Sequence, residues 1–251
     1  MQPALEAGAS VPTHSLAPDE RELVARYAPR ILLDRCEPFR PLVVGYTLFR
    51  QDGYSPSFPR CIGLRPVGRS PAVLAIEYAI WWDWDIEHLY ELEHIWTYVG
   101  ADGEVVHAEG SWHGDFWSLR HWENGHIPLY EGTHPLAYAQ PGKHAFAATE
   151  MPFQVMARRI QAQCLAQTPK DGLLIPPIFE GVLDGWKTPE ADARINAYLT
   201  HRAFEPAFVW DEPLDLASAP MVPWPLLERW IPQRIAWLLS RLERGEFLGS
   251  G

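Results

Sequence analysis

The chain has 251 residues, 47% of them hydrophobic and 21% charged, the proportions of a globular protein with ample length for a core. A formal net charge of −11, from 21 basic and 32 acidic residues with no basic run, disfavours nucleic acid as a partner. Twenty-four prolines, about twice the usual share of roughly 5%, argue against a long helical bundle and for many turns.

Residues 1–16 are small and polar and are expected to form a flexible N-terminal arm. They show neither the basic start nor the apolar stretch of a signal peptide. The segment Pro18 to Tyr27 has proline at a first helical position, acids in the first turn and a basic residue late, which predicts a short helix. From Ile31 to Arg69, proline and glycine punctuate the chain around one expected strand, LVVGYTLF.

Residues 72–84, AVLAIEYAIWWDW, are apolar at nearly every position and read as a buried central strand. Next, Leu89 to Val99 and Glu104 to His113 flank GADG, a hairpin signal with Asp102 and Gly103 at the turn. A further strand is expected between His126 and Phe146. After Thr149 the spacing becomes helical, with segments beginning at Pro152, Pro189 and Pro225. The plan is α+β: a mainly antiparallel β-sandwich over 17–150 and a helical C-terminal appendage over 151–251.

Cys36, Cys61 and Cys164 are far apart and odd in number, which is no disulfide framework and fits a reducing, cytoplasmic setting. No run is long and apolar enough for a membrane span. Serine-elbow, Walker, dinucleotide-fingerprint and H-E-x-x-H motifs are all missing, so those chemistries lose support.

The unusual stretch is WWDWDIEHLYELEHIW, residues 81–96, with five carboxylates and two histidines among core-type side chains. Eight of the ten histidines lie after Ile86 in the β-rich segment, and imidazole is the commonest metal ligand. Strand alternation puts Glu91 and Glu93 on one face and His94 on the other. A two-residue turn pairs Tyr98 with His107 and His94 with Ser111, gathering His94, His107, Glu109 and His113. A shift of one residue, or a bulge at Gly110, brings Glu91 and Glu93 to that face instead. Either register concentrates carboxylates and imidazoles, the mixture a divalent metal needs. Without a metal, crowded carboxylates in an aromatic setting have raised pKa values and suit acid/base work.

The run YELEHIWTYV resembles the G-D-W-E-H signature of Vps62-like proteins, and the stretch from His88 is similar to the G-H-R-H-D-W-E heptapeptide of necrosis-inducing NPP1-like proteins. His88, Glu91 and Glu93 fall on that motif's first histidine, its aspartate and its final glutamate, with Leu92 in place of its tryptophan. The segments RYAPRILLDRCEPFRP, EGSWHGDF and PLAYAQPGKHAF resemble further family segments, in the family's order, over residues 26–146. The resemblance implies a β-sandwich with a divalent cation at one end. It assigns ligand roles to His88, Glu91, Glu93, His113 and His144, with Asp83 or Asp85 as an upstream acid. His94 and Glu109 are then the candidates for proton transfer.

The leading expectation is a cytoplasmic metal-binding sandwich acting as a hydrolase or lyase on a small molecule. The alternative is a non-catalytic module that binds a glycan, lipid or protein and holds a structural cation; a third is a scaffold without metal. Oxygen-only ligation suits calcium or magnesium, while histidines point toward zinc, manganese or iron.

Overall fold

The structure is a computed structural model and describes residues 8–14, 17–65 and 70–247. The chain runs α1 (Pro18–Arg26), β1 (Arg30–Leu32), β2 (Val43–Phe49), β3 (Gly53–Tyr54), β4 (Cys61–Ile62), β5 (Leu74–Trp84), β6 (His88–Val99) and β7 (Val105–Trp112). It continues with β8 (Asp115–Ser118), β9 (Leu129–Tyr130), β10 (His134–Ala139), β11 (Phe146–Ala147), α2 (Met151–Val155) and α3 (Ala157–Cys164). The last elements are β12 (Gly172–Leu173), α4 (Pro189–His201), β13 (Pro213–Asp215), β14 (Met221–Pro223) and α5 (Trp224–Glu243).

The fold is α+β, as expected. One sheet has the order β14-β2-β5-β6-β7-β8 with β12 beside β6; a second has β11-β10-β1-β13 with β9 beside β10; β3 and β4 form a small third sheet. The apolar run at 72–84 becomes β5, a central strand buried almost throughout. Its long antiparallel pairing with β6, from Leu74 opposite Val99 to Trp84 opposite Leu89, is the backbone of the molecule. In the hairpin, Tyr98 lies opposite His107 and Ile95 opposite Gly110, the register of the two-residue turn. Between the 98/107 and 99/105 pairs β7 carries one extra residue, Val106, a bulge just after the turn.

The C-terminal third is helical but also lends strands to the two larger sheets, β13 to β1 and β14 to β2. α5 lies on β2: a Cβ added at Gly45 would meet Leu227 at 2.7 Å, so glycine admits the close approach. The described part of the N-terminal segment is hydrogen-bonded to this helix. Arg234 Nη1 donates to the carbonyl of Gly8 at 2.9 Å, and Trp230 Nε1 to that of Ser10 at 2.7 Å. Among the described residues no helix is long and apolar enough to cross a membrane.

Candidate metal centre

The site forms where the large sheet is incomplete. On its outer edge β6 pairs with β12 at residues 88 and 89 and with β7 only from Ile95 onward. Residues 90–94 lie between these partners, and all five line a cavity of about 710 Å³. Its apolar wall comes from the 174–179 segment and Phe58; its polar floor includes His88, Glu91, Glu93, His113 and Lys143. The size suits a small molecule.

Regular alternation would set His88 and Glu91 on opposite faces of the strand. They meet because Tyr90 has a φ of 58°, in the left-handed region that side chains rarely adopt. The β5–β6 register correspondingly passes from 84/89 to 82/91 without the pair between them. Tyr90 is held by stacking on Trp81, with centroids 4.9 Å apart, and by its hydroxyl donating to the Leu174 carbonyl at 3.2 Å.

Among the described residues one set of three metal-type side chains converges: Asp85, His88 and Glu91, with ligand atoms all within 4.8 Å of one another. His88 Nδ1 lies 2.7 Å from the Tyr90 carbonyl, which can only accept, so Nδ1 carries the proton. Nε2 therefore presents a lone pair, 3.7 Å from Asp85 Oδ1 and 3.8 Å from Glu91 Oε2. Burial lowers the His88 pKa, against the pull of Asp85, and keeps the ring neutral. Two carboxyl groups and an imidazole lone pair thus face one another.

The surrounding charges fit this picture. Burial pushes the Glu91 pKa well up, and the neighbouring Glu93 and Asp85 carboxylates add to it. Glu93 is raised to about 7, first by burial, against a hydrogen bond from Ser111 Oγ. Burial also opposes ionisation of Asp85, but the positive charge around it and the Glu87 N–H hold its pKa below the ordinary value. With His88 neutral, that charge is chiefly Lys143, whose Nζ lies 3.0 Å from Asp85 and 3.0 Å from Glu87.

No family model matches the sequence, and no curated protein matches it. The crystal structure of a mutant NLPPya is similar to this chain at a TM-score of 0.34 and 12% identity, over 70% of this chain and 96% of that one. That likeness is distant. At such a score nothing about the site transfers, and its chemistry rests on the residues themselves.

The other expected residues are placed as follows. Glu93 and His113 line the same cavity, and His113 Nε2 lies 2.9 Å from Gln140 Oε1. His144 is fully buried, stacked on Trp82 at 4.6 Å and 3.3 Å from Glu37. Asp83 does not join the group. It sits beside Trp81 on the opposite face and takes Arg234 Nη2 of α5 at 2.6 Å and Nε at 3.0 Å.

His94 and Glu109 lie on that opposite face too. His94 Nε2 is 3.0 Å from Ser57 Oγ, which donates to Glu77 at 2.7 Å; burial lowers the His94 pKa to about 3. Glu109 accepts from Arg60 at 2.7 Å and from the Tyr98 hydroxyl at 2.9 Å, with His107 3.0 Å away. These partners outweigh burial and bring its pKa to about 2. His94 lines the cavity; Glu109 does not. Lys143 had no place in the expected site, because lysine is not a metal ligand and only the folded turn at 140–144 brings it to Asp85.

Proposed function

We propose that this chain binds a divalent metal ion through Asp85, His88 Nε2 and Glu91, and acts there on a small molecule as a metal-dependent hydrolase or lyase. The observation that carries the reading is the meeting of the buried Asp85 and His88 with the half-buried Glu91, their ligand atoms all within 4.8 Å of one another. Two carboxylates and an imidazole whose other nitrogen is tied to a backbone carbonyl fit a first-row transition ion better than calcium or magnesium. When bound, such an ion supplies Lewis acidity toward an oxygen of a ligand in the cavity.

The chain's own groups do the rest. Glu93, with a pKa of about 7, can take up and return a proton at neutral pH beside the ligands. The apolar wall, including Leu174 and Phe179, orients the ligand and keeps water out. A purely structural ion would be closed in by its ligands; here the group opens on a cavity of about 710 Å³, which favours the catalytic reading. Three unpaired cysteines suit a cytoplasmic setting for this activity.

The test is elemental analysis of the purified chain, with calorimetric zinc and manganese titrations of the chelator-treated protein. About one equivalent is expected for the wild type and none for His88→Gln or Glu91→Gln, both still folded by circular dichroism. Binding unchanged in both variants would remove the proposed centre. A hydrolase and lyase screen of the loaded protein, against Glu93→Gln, then separates catalysis from binding alone.

A further inference from the structure

Lys143 occupies an odd position for a site meant to hold a metal. Its Nζ is 3.0 Å from both oxygens of Asp85 and 3.0 Å from Glu87 Oε2. Asp85 Oδ1, the oxygen 3.7 Å from His88 Nε2, also accepts the Glu87 N–H at 2.6 Å. A carboxylate oxygen has two lone pairs, and both of these are engaged. A metal can bind Oδ1, the oxygen that faces His88, only if one donor leaves, and the two donors differ in their freedom.

The Glu87 amide is fixed. Its loop is pinned by Ile86 N donating to the Gly142 carbonyl at 2.8 Å and Asp171 N donating to the Glu87 carbonyl at 2.6 Å. The backbone of Lys143 is equally fixed, in a turn where the Gly142 N–H donates to Glu37 at 2.7 Å and Gly142 has a φ of 74°. The four-carbon side chain of Lys143 is not so held. It lines the cavity and has Glu87 as a second carboxylate to rest on. Two cations on one buried carboxylate oxygen repel strongly, so metal and ammonium compete for Oδ1.

We propose that Lys143 is the resident counter-ion of the metal centre, and that metal binding displaces its ammonium from Asp85 toward Glu87 and the cavity. The inference rests on the metal-binding reading above and adds a regulation of that site. Lys143 stabilises the metal-free protein by neutralising Asp85, and it lowers the apparent affinity for the ion. The ammonium stays charged throughout, so the exchange releases no proton from Lys143.

The experiment uses the full chain, labelled with ¹⁵N and stripped of metal. A buried, hydrogen-bonded lysine ammonium gives a slowly exchanging resonance, assigned by its absence in Lys143→Met. Zinc alone is titrated, with calorimetry in parallel on wild type and variant. The expected result is loss or a large shift of that resonance in proportion to bound zinc, and zinc affinity at least roughly tenfold higher in Lys143→Met, equivalent to about 1.4 kcal/mol.

A resonance unchanged with one equivalent of zinc bound would overturn the exchange while leaving the metal centre standing. So would the lack of any protected ammonium in the stripped wild type. No zinc binding by either protein would remove both readings, whereas binding by Lys143→Met alone supports both. If Lys143→Met fails to fold, the wild-type titration decides, with Lys143→Arg used for the assignment.

Discussion

Glu93 gives the most direct handle on the charge crowded at this site. Its pKa is raised from 4.5 to about 7, chiefly by burial. In the metal-free protein the native state therefore keeps a proton that the unfolded chain gives up near pH 4.5. More protons bound natively means that stability falls as pH rises, from about 4.5 to about 7, and stays low above. The gap corresponds to about 3 kcal/mol at roughly 1.4 kcal/mol per pKa unit. Glu93→Gln removes the buried charge and keeps an oxygen for the Ser111 hydroxyl to donate to. Relative to their difference at pH 4.5, the variant should gain about 3 kcal/mol over wild type by pH 8, roughly 6–12 °C in Tm for a chain of this size. Urea unfolding in chelator at a series of pH values measures it. A difference that stays constant from pH 4.5 to pH 8 would refute the argument, since an ordinary carboxyl titrates alike in both states.

Two other carboxylates test the division between the faces of β6. Asp83→Asn leaves the Arg234 guanidinium, whose side chain is 9% exposed, without its counter-charge, and should destabilise by about 3 kcal/mol in denaturant melts. Zinc affinity should not change, because Asp83 lies away from His88 and Glu91. Glu109→Gln should also cost about 3 kcal/mol by stranding Arg60, again without effect on zinc. The Glu109 pKa is lowered, so its contribution is present above about pH 4.5 and lost as pH falls toward about 2. Acid melts should show that loss in wild type and not in Glu109→Gln.

Much of the architecture is written in long, strongly patterned segments. The apolar run at 72–84 and the Asp102–Gly103 turn led to the β5–β6–β7 meander, while the choice between its two registers came only with the structure. The proline-led helices followed from capping chemistry, although the segment from Pro152 splits into two helices at Met156. What could not be read was the short pairing. β12, β13 and β14 contribute only two or three residues each, too few for any period. Yet β12, ending opposite Leu89, and β7, pairing only from Ile95, bound the stretch of β6 that lines the cavity. The face of Asp83 was equally hidden: WWDWD offers two aspartates two residues apart, and only the end of the strand after Trp84 frees Asp85 to turn back toward His88.

The deeper reason the ligand set was only partly legible is that alternation, the rule used to read a strand, fails at the residue that makes the site. Motif spacing named His88 and Glu91, but three residues apart on a flat strand they cannot share a metal. The left-handed Tyr90 reverses the parity between them. A tyrosine held there costs about 1–3 kcal/mol. The cost is offset by its stacking on Trp81 and by His88 Nδ1, which donates to the carbonyl of Tyr90 itself. The same bond orients the histidine so that Nε2 faces the carboxylates, so the distortion and the ligand geometry are one feature. A strand serving only to bury apolar area gains nothing from such a residue. On the proposed metal-binding reading, that cost is what brings His88 and Glu91 together.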